Sequence, residues 1–311
     1  MNDWSGISRE FSHLLRLPLK QLMDQALELK LKWRSNRFSL CTIMNVKSGA
    51  CTEDCAFCAQ SARFKTESPV YGLLSVDEIV RQAKKAMDAG ARRFSLVASG
   101  RGPTKDEIEE FAERIFEIKK KVNINVCASL GIMRREGLTR LRDAGLGRYH
   151  HNIETSERFY SEIVTTHGFE ERLSTIRAAK EAGLEVCSGG IIGLGETDED
   201  RLDMAAALRY LDVDSAPINI LVPIPGTPLA SSPPISMEEI LRAIAIFRHL
   251  LPDKAIRIAG GRETALKDFQ ALAFLAGADA MLIGGYLTVR GRSIEEDAAL
   301  VARIKGLWMA Y

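Results

Sequence analysis

Asp88-Ala89-Gly90, followed by Ala91-Arg92-Arg93-Phe94-Ser95-Leu96-Val97, reads as a helix that stops and a strand that starts. Glycine suits the left-handed residue that closes a helix, and the β-rich run after it is what a short αβ connection looks like. The phrase recurs. Asp143-Ala144-Gly145 precedes a tyrosine-containing run, Glu181-Ala182-Gly183 precedes Leu184-Glu185-Val186-Cys187, and Leu275-Ala276-Gly277 stands near the end. Repetition makes the chain a βα array. Candidate strands fall near 38–45, 92–98, 123–129, 147–153, 185–192, 216–222, 255–259 and 279–283, with amphipathic helical segments between most of them. Strands alternating with helices argue for a parallel sheet, and eight of them predict an α/β fold closed into a (β/α)8 TIM-type barrel rather than a doubly wound open sheet. Residues 1–37 read as an N-terminal helical extension, 38–290 as the barrel and 291–311 as a closing helix.

With 311 residues, 46% of them hydrophobic, the chain has material for one large core. Lys plus Arg number 42 against 41 Asp plus Glu, a formal charge of +1 that offers no field to attract nucleic acid or an anionic membrane. The expected partner is therefore small. Met1-Asn2-Asp3-Trp4 opens without a basic stretch and apolar run, and no segment reaches the roughly 18 apolar residues that span a bilayer, so a soluble cytoplasmic protein is expected. Oligomeric state is left open, a homodimer included. Six cysteines in a chain of this length are too few for a disulfide scaffold, and clustered thiols in a reducing compartment bind metal or do chemistry.

Three of the six lie in Cys51-Thr52-Glu53-Asp54-Cys55-Ala56-Phe57-Cys58, directly after the first predicted strand. Barrel enzymes place their sites at that end of the strands. Zinc competes, but a structural zinc site takes four ligands, often from two pairs, and neither a second pair nor a neighbouring histidine is present in the sequence nearby. Three cysteine ligands on a 4Fe-4S cluster would instead leave one iron open to a small molecule.

The CxxxCxxC spacing, with Phe57 before the third cysteine, resembles the radical S-adenosylmethionine superfamily. In that superfamily the open iron chelates the amino and carboxylate groups of S-adenosylmethionine, and its reductive cleavage yields a 5′-deoxyadenosyl radical that takes hydrogen from an unactivated carbon. Over residues 38–290 the chain also resembles biotin synthases. The blocks that carry the likeness are Lys47-Ser48-Gly49-Ala50-Cys51, His151-Asn152-Ile153-Glu154-Thr155, Val186 to Thr197, Pro217 to Val222, Gly226-Thr227-Pro228-Leu229, and Arg257 with Gly260-Gly261-Arg262-Glu263. Each is weak alone, and their shared order is specific.

The resemblance implies dethiobiotin as substrate, S-adenosylmethionine as cofactor and a low-potential electron donor such as flavodoxin or ferredoxin. It implies cofactor contacts at Phe57, Asn152, Glu154, Arg172, Ile191, Glu196 and Val222, with Arg172 on the cofactor carboxylate, and substrate contacts at Lys47, Asn152, Asn219 and Thr288. Gly189-Gly190-Ile191-Ile192-Gly193-Leu194-Gly195 reads as backbone that approaches a flat ring such as adenine. His150 and His151 are neighbours on a predicted strand, so one packs and one lines the site. His13, His167 and His249 read as surface or helix-face residues.

The resemblance further implies that Cys127, Cys187 and Arg257 hold an auxiliary iron–sulfur cluster, 2Fe-2S or of other nuclearity, that donates the sulfur. Biotin synthases commonly carry a third such cysteine on the second strand, where this chain has Ser95. A hydroxyl substitutes poorly for a thiolate on iron. Cys41, on the adjacent first strand, is expected to take its place. Two readings compete with this one: a relative performing another radical reaction, of the hydrogenase-assembly or methylornithine-synthase type, and an iron–sulfur carrier without catalysis.

Overall fold

The computed structural model describes residues 4–284 and 292–310. Nine parallel strands form its centre: β1 (Ser39–Lys47), β2 (Arg93–Ala98), β3 (Asn125–Ser129), β4 (Arg148–His150), β5 (Glu185–Cys187), β6 (Gly190–Ile192), β7 (Ser215–Ile220), β8 (Ala255–Ile258) and β9 (Ala280–Leu282). They are hydrogen-bonded in the order β5-β4-β3-β2-β1-β9-β8-β7-β6, and a further pairing of β5 with β7 closes the ring. β5 and β6 are the two halves of one stave. The result is an eight-staved barrel of the TIM type, as the alternation of strands and helices predicts.

The predicted helix stops are where the sequence put them. Gly90, Gly145, Gly183 and Gly277 all have positive φ, at 81°, 108°, 79° and 108°. Helix starts are equally local: Thr104 with Glu107, Thr197 with Asp200, Ser236 with Glu239 and Ser293 with Glu296 form reciprocal capping boxes. Two predicted strands are shorter than expected. The fourth, read over 147–153, ends at His150, so Asn152 and Glu154 lie beyond it. The fifth, read over 185–192, breaks at Ser188-Gly189, where a Cβ on Gly189 would lie 1.8 Å from the Pro217 carbonyl oxygen.

The register decides what faces the interior. In a barrel of this kind a layer takes one side chain from every second stave. Cys41 is level with Arg93, and Arg93 with Asn125, two residues before Cys127. Cys127 is level with Arg148, and Arg148 with Glu185, two residues before Cys187. Cys187 leads through Ser215 to Ala255, two before Arg257, and Arg257 leads through Ala280 to Ser39, two before Cys41. Cys41, Cys127, Cys187 and Arg257 therefore make one closed layer. By the same count Ser95 belongs to the adjoining layer, with His150, Pro217 and Leu282.

Most of the apolar core lies between the ring and its helices, where Phe94, Leu96, Phe111, Ile115, Tyr149 and Phe247 are buried. The helix Leu19–Arg34 packs on the helix Met237–Leu250, and the helix Ile294–Met309 inserts Trp308 beside Phe274, whose carbonyl accepts the indole N–H at 3.3 Å. Among the described residues no helix is long and apolar enough to cross a membrane.

The β8–β9 corner depends on one buried ion pair. Arg248 and Asp279 are fully buried, 3.0 Å apart, and Asp279 also accepts from the Ile256 backbone N–H at 2.9 Å and from Arg34 at 2.6 Å. Removing one partner of such a pair leaves a buried charge uncompensated. Asp279→Ala is expected to lose about 3–5 kcal/mol of unfolding free energy in a urea titration.

Candidate functional site

One central cavity is lined by Cys51, Cys55 and Cys58 from the loop after β1 and by Cys41, Ser95, Cys127, Cys187 and Arg257 from the strands. All six cysteines are unpaired thiols. The sequence-predicted thiol sets thus share one space.

The three-cysteine loop is held by its own polar groups. Gln60 Oε1 accepts from Asn45, from the Ser48 hydroxyl and from the Gly49 N–H at 3.2–3.3 Å. The Cys51 N–H donates to the Gln60 carbonyl at 3.1 Å, and the Cys51 carbonyl accepts from Ala62 at 2.7 Å. Asp54 reaches out of the loop to accept from the Thr165 and Thr166 N–H groups at 3.0 and 3.2 Å and from both hydroxyls. Burial pushes the Cys58 thiol up, opposed by the nearby backbone N–H groups of Gln60 and Ser61. Backbone N–H groups near cluster sulfurs are among the features that set a cluster's potential. The donor set of three thiols and no other ligand type fits a 4Fe-4S cluster with an open iron.

Beside this loop Asn152 lies between two roles, its Oδ1 accepting from the Gly189 N–H at 3.1 Å and its Nδ2 donating to Glu154 at 3.2 Å. Glu154 has φ +69°, a left-handed conformation uncommon for a residue with a side chain. Its backbone bonds Gly189 and Ile191, and its carboxylate lies 3.6 Å from Arg172. The Arg172 guanidinium is largely buried and donates to the Tyr160 hydroxyl at 2.9 Å and the Asn152 carbonyl at 3.3 Å. Phe57, Ile191, Val222, Asn152, Glu154 and Asn219 line an adjoining cavity. Asn219 donates to the Gly190 carbonyl and accepts from the Gly260 N–H, tying three strand ends together.

The structure shows contacts of several of these residues that the sequence did not, and it corrects the readings of the histidines. The close approach that Gly189 and Gly190 permit is that of the protein's own backbone: a Cβ on Gly190 would lie 2.2 Å from the Glu154 carbonyl oxygen. Glu196 lines neither cavity; its carboxylate accepts from the Gly193 and Leu194 N–H groups and pairs with Arg201 at 2.7 Å, shaping the glycine-rich turn. Lys47 pairs with Glu107 at 2.5 Å and is likewise outside both cavity linings. Thr288 lies outside the described residues. Both His150 and His151 line the central cavity, rather than one of them. His167 is buried, not on a surface, and bonds Glu53 and Arg172. Glu53 went unnoticed because it occupies a variable position inside the cysteine motif, and His167 was misplaced because it is an isolated histidine. Only their contact reveals them.

The barrel interior is electropositive. Arg93, Arg148 and Arg257 line the cavity, and Glu185 pairs with Arg93 and Arg148 at 2.8–2.9 Å. Burial alone would raise the Cys187 thiol, but His150, Arg257 and Arg148 outweigh it and bring it down to about 6. Cys127, with burial dominant, is pushed up to about 12. Cys41 is raised by burial and opposed by Arg257, an interaction consistent with its sulfur facing the same interior. Arg257 Nη1 donates to Ser215 at 3.0 Å and contacts the Cys187 sulfur at 3.7 Å, while its Nε and Nη2 have no partner. A buried guanidinium with two idle donors beside three thiols fits an anionic sulfur-rich group, since an unsatisfied buried charge is otherwise costly.

Residues 45–208 match the Radical SAM superfamily and residues 217–306 the Biotin and Thiamin Synthesis associated domain. A biotin synthase of Pelotomaculum thermopropionicum is 48% identical over 97% of this chain and 96% of its own length. That of Heliobacterium modesticaldum is 50% identical over 90% and 86%. Among solved structures, a methylornithine synthase superposes with a TM-score of 0.81 at 22% identity, over 96% of this chain and 92% of its own. The FeFe-hydrogenase maturase of Carboxydothermus hydrogenoformans gives 0.78 at 21%, over 97% and 78%. These two establish the fold alone.

The crowding at Gly190 gives a direct check. Gly190→Ala is expected to displace Glu154 and cost about 1–3 kcal/mol of stability, as overpacking does. Gly147→Ala, whose Cβ would meet only the Val126 carbonyl oxygen at 3.7 Å, is expected to stay near wild type in the same denaturation series.

Proposed function

The chain belongs to the biotin synthase family within the radical S-adenosylmethionine superfamily, and from that premise we propose how its residues insert sulfur into dethiobiotin, between two unactivated carbons. The observation that carries the reading is one cavity bordered by two thiol sets, Cys51, Cys55 and Cys58 on the loop and Cys41, Cys127 and Cys187 with Arg257 in one barrel layer. When bound, the 4Fe-4S cluster supplies the electron that cleaves S-adenosylmethionine into a hydrogen-abstracting radical, and the auxiliary cluster supplies the sulfur atom.

The chain's own residues bind and orient. Arg172 offers a planar cation to the cofactor carboxylate. Asn152 and Glu154, beyond the end of β4, present an amide and a carboxylate toward the cofactor ribose and the ureido ring of the substrate. Phe57, Ile191 and Val222 supply apolar walls, and Asn219, Lys47 and Thr288 are proposed for substrate, Lys47 by release from Glu107. An iron–sulfur carrier would have no use for Arg172, Asn152 and Glu154 converging on the loop. A flavodoxin or ferredoxin is the proposed electron donor, and six unpaired thiols support a reducing, cytoplasmic setting.

Cys41 is the proposed third thiolate of the auxiliary cluster. Its support is the register, which puts it in the layer of Cys127, Cys187 and Arg257, whereas Ser95 belongs to the next layer.

Alanine at Cys51, Cys55 or Cys58 is expected to abolish cleavage of S-adenosylmethionine, measured as 5′-deoxyadenosine released under a reductant; cleavage at the normal rate in any one would refute the assignment. Cys41→Ser is expected to lose the auxiliary iron and biotin formation while keeping the first cluster and part of the cleavage. Mössbauer spectra and iron quantitation separate the two clusters, and full iron with full activity in Cys41→Ser would remove Cys41 from the ligand set.

A further inference from the structure

His167 stands at the turn into the helix Phe169–Glu181, with its ring buried. Nδ1 lies 2.6 Å from Glu53 Oε2, and Nε2 lies 2.9 Å from Arg172 Nη2. A guanidinium only donates, so Nε2 accepts, and the single proton of the neutral ring sits on Nδ1 and is donated to Glu53. Burial, with Arg172 alongside, keeps His167 below the usual histidine range, in keeping with the neutral form. Glu53 is held in turn by Thr52 at 3.1 Å and Arg101 at 3.4 Å, and it lies between Cys51 and Cys55 in the sequence.

Anchoring of this turn does not need the histidine. Asp54 already ties Thr165 and Thr166 to the cysteine loop through two backbone and two hydroxyl donors. What His167 adds is a contact to one face of Arg172, whose Nε and Nη1 are held elsewhere by Tyr160 and Asn152. The result is a continuous chain from the loop backbone through Glu53 and His167 to the guanidinium.

We infer that His167 is a positioning residue that sets the Arg172 guanidinium relative to the three-cysteine loop, so that the loop and the cofactor's carboxylate partner form one unit. The inference rests on the reading of Arg172 as that partner. Arginine has several rotatable bonds, and fixing it before the cofactor arrives removes an ordering cost from binding. His167 lines the central cavity, but its ring nitrogens bond Glu53 and Arg172 and not a thiol. Its effect is therefore on affinity for S-adenosylmethionine, more than on the rate of cleavage once bound.

The test uses anaerobically reconstituted protein with iron quantified, and labelled S-adenosylmethionine in equilibrium dialysis. His167→Ala is expected to bind about tenfold more weakly, roughly 1.4 kcal/mol, with iron content unchanged, KM for S-adenosylmethionine raised and cleavage at saturation little altered. His167→Gln places an acceptor near the former Nε2 and is expected to recover most of the affinity. His167→Asn keeps only a donor toward Glu53 and is expected not to. A merely structural role predicts that Gln and Asn behave alike, and that result, or wild-type affinity in His167→Ala, overturns the inference. Should the alanine variant be insoluble, the Gln and Asn pair decides alone. Arg172→Gln distinguishes the two levels: wild-type affinity there overturns the reading of Arg172 and the inference with it, whereas weak binding there with normal binding in every His167 variant overturns the inference only.

Discussion

The stagger of the parallel strands is the constraint on which the site depends. A closed ring of tilted strands must advance its register as it goes round, and here it advances two residues for every two staves until it returns to Cys41. That advance, and no single contact, is what brings residues far apart in sequence to one level of the interior. It also sets the loop after β1 above that level, so that the two thiol sets border the same space. A slip of one residue in any strand would turn its inward side chain outward.

The interior that results departs from the usual barrel filling of branched aliphatic side chains. Its thiols and arginines would be poor packing for a solid core, since a buried unpaired cation is unfavourable. Glu185 offsets part of the charge of Arg93 and Arg148, and Ser215 takes one donor of Arg257. The rest of Arg257 is left waiting for an acceptor. Nearer the rim the pattern reverses, and almost every polar atom of Arg172, Glu154 and Asn152 already has a partner. In the interior a buried cation keeps free donors, whereas near the rim the polar groups hold one another in place.

Much of this was legible before any coordinates. Helix stops and strand starts are written in local chemistry: a glycine that must take positive φ, a Ser or Thr that caps, a β-rich run between them. Cys51, Cys55 and Cys58 were legible because their spacing is itself the signal. The placement of Glu196, Lys47 and His167 was not. Each is decided by a partner distant in sequence or by a backbone geometry with no fixed spacing, such as the Glu53–His167 contact across 114 positions. The glycine-rich run shows the same limit from the other side. Its need for small residues was readable, but the object that crowds them, the Glu154 and Pro217 carbonyls, was not. Cys41 falls between: its strand was readable, whereas its layer requires the register of every stave.

The location of the apolar core outside the ring carries a consequence for the life of the protein. Phe94, Leu96, Tyr149 and Ile256 face the helices, while Cys41 packs inside with only Ala259 and Leu282 among the buried residues. The free energy that folds the chain is stored in an outer shell, and the chamber within contributes little to it. The walls and the chamber are therefore built from different residues, and a change to a side chain lining the chamber leaves the packing that holds the walls in place.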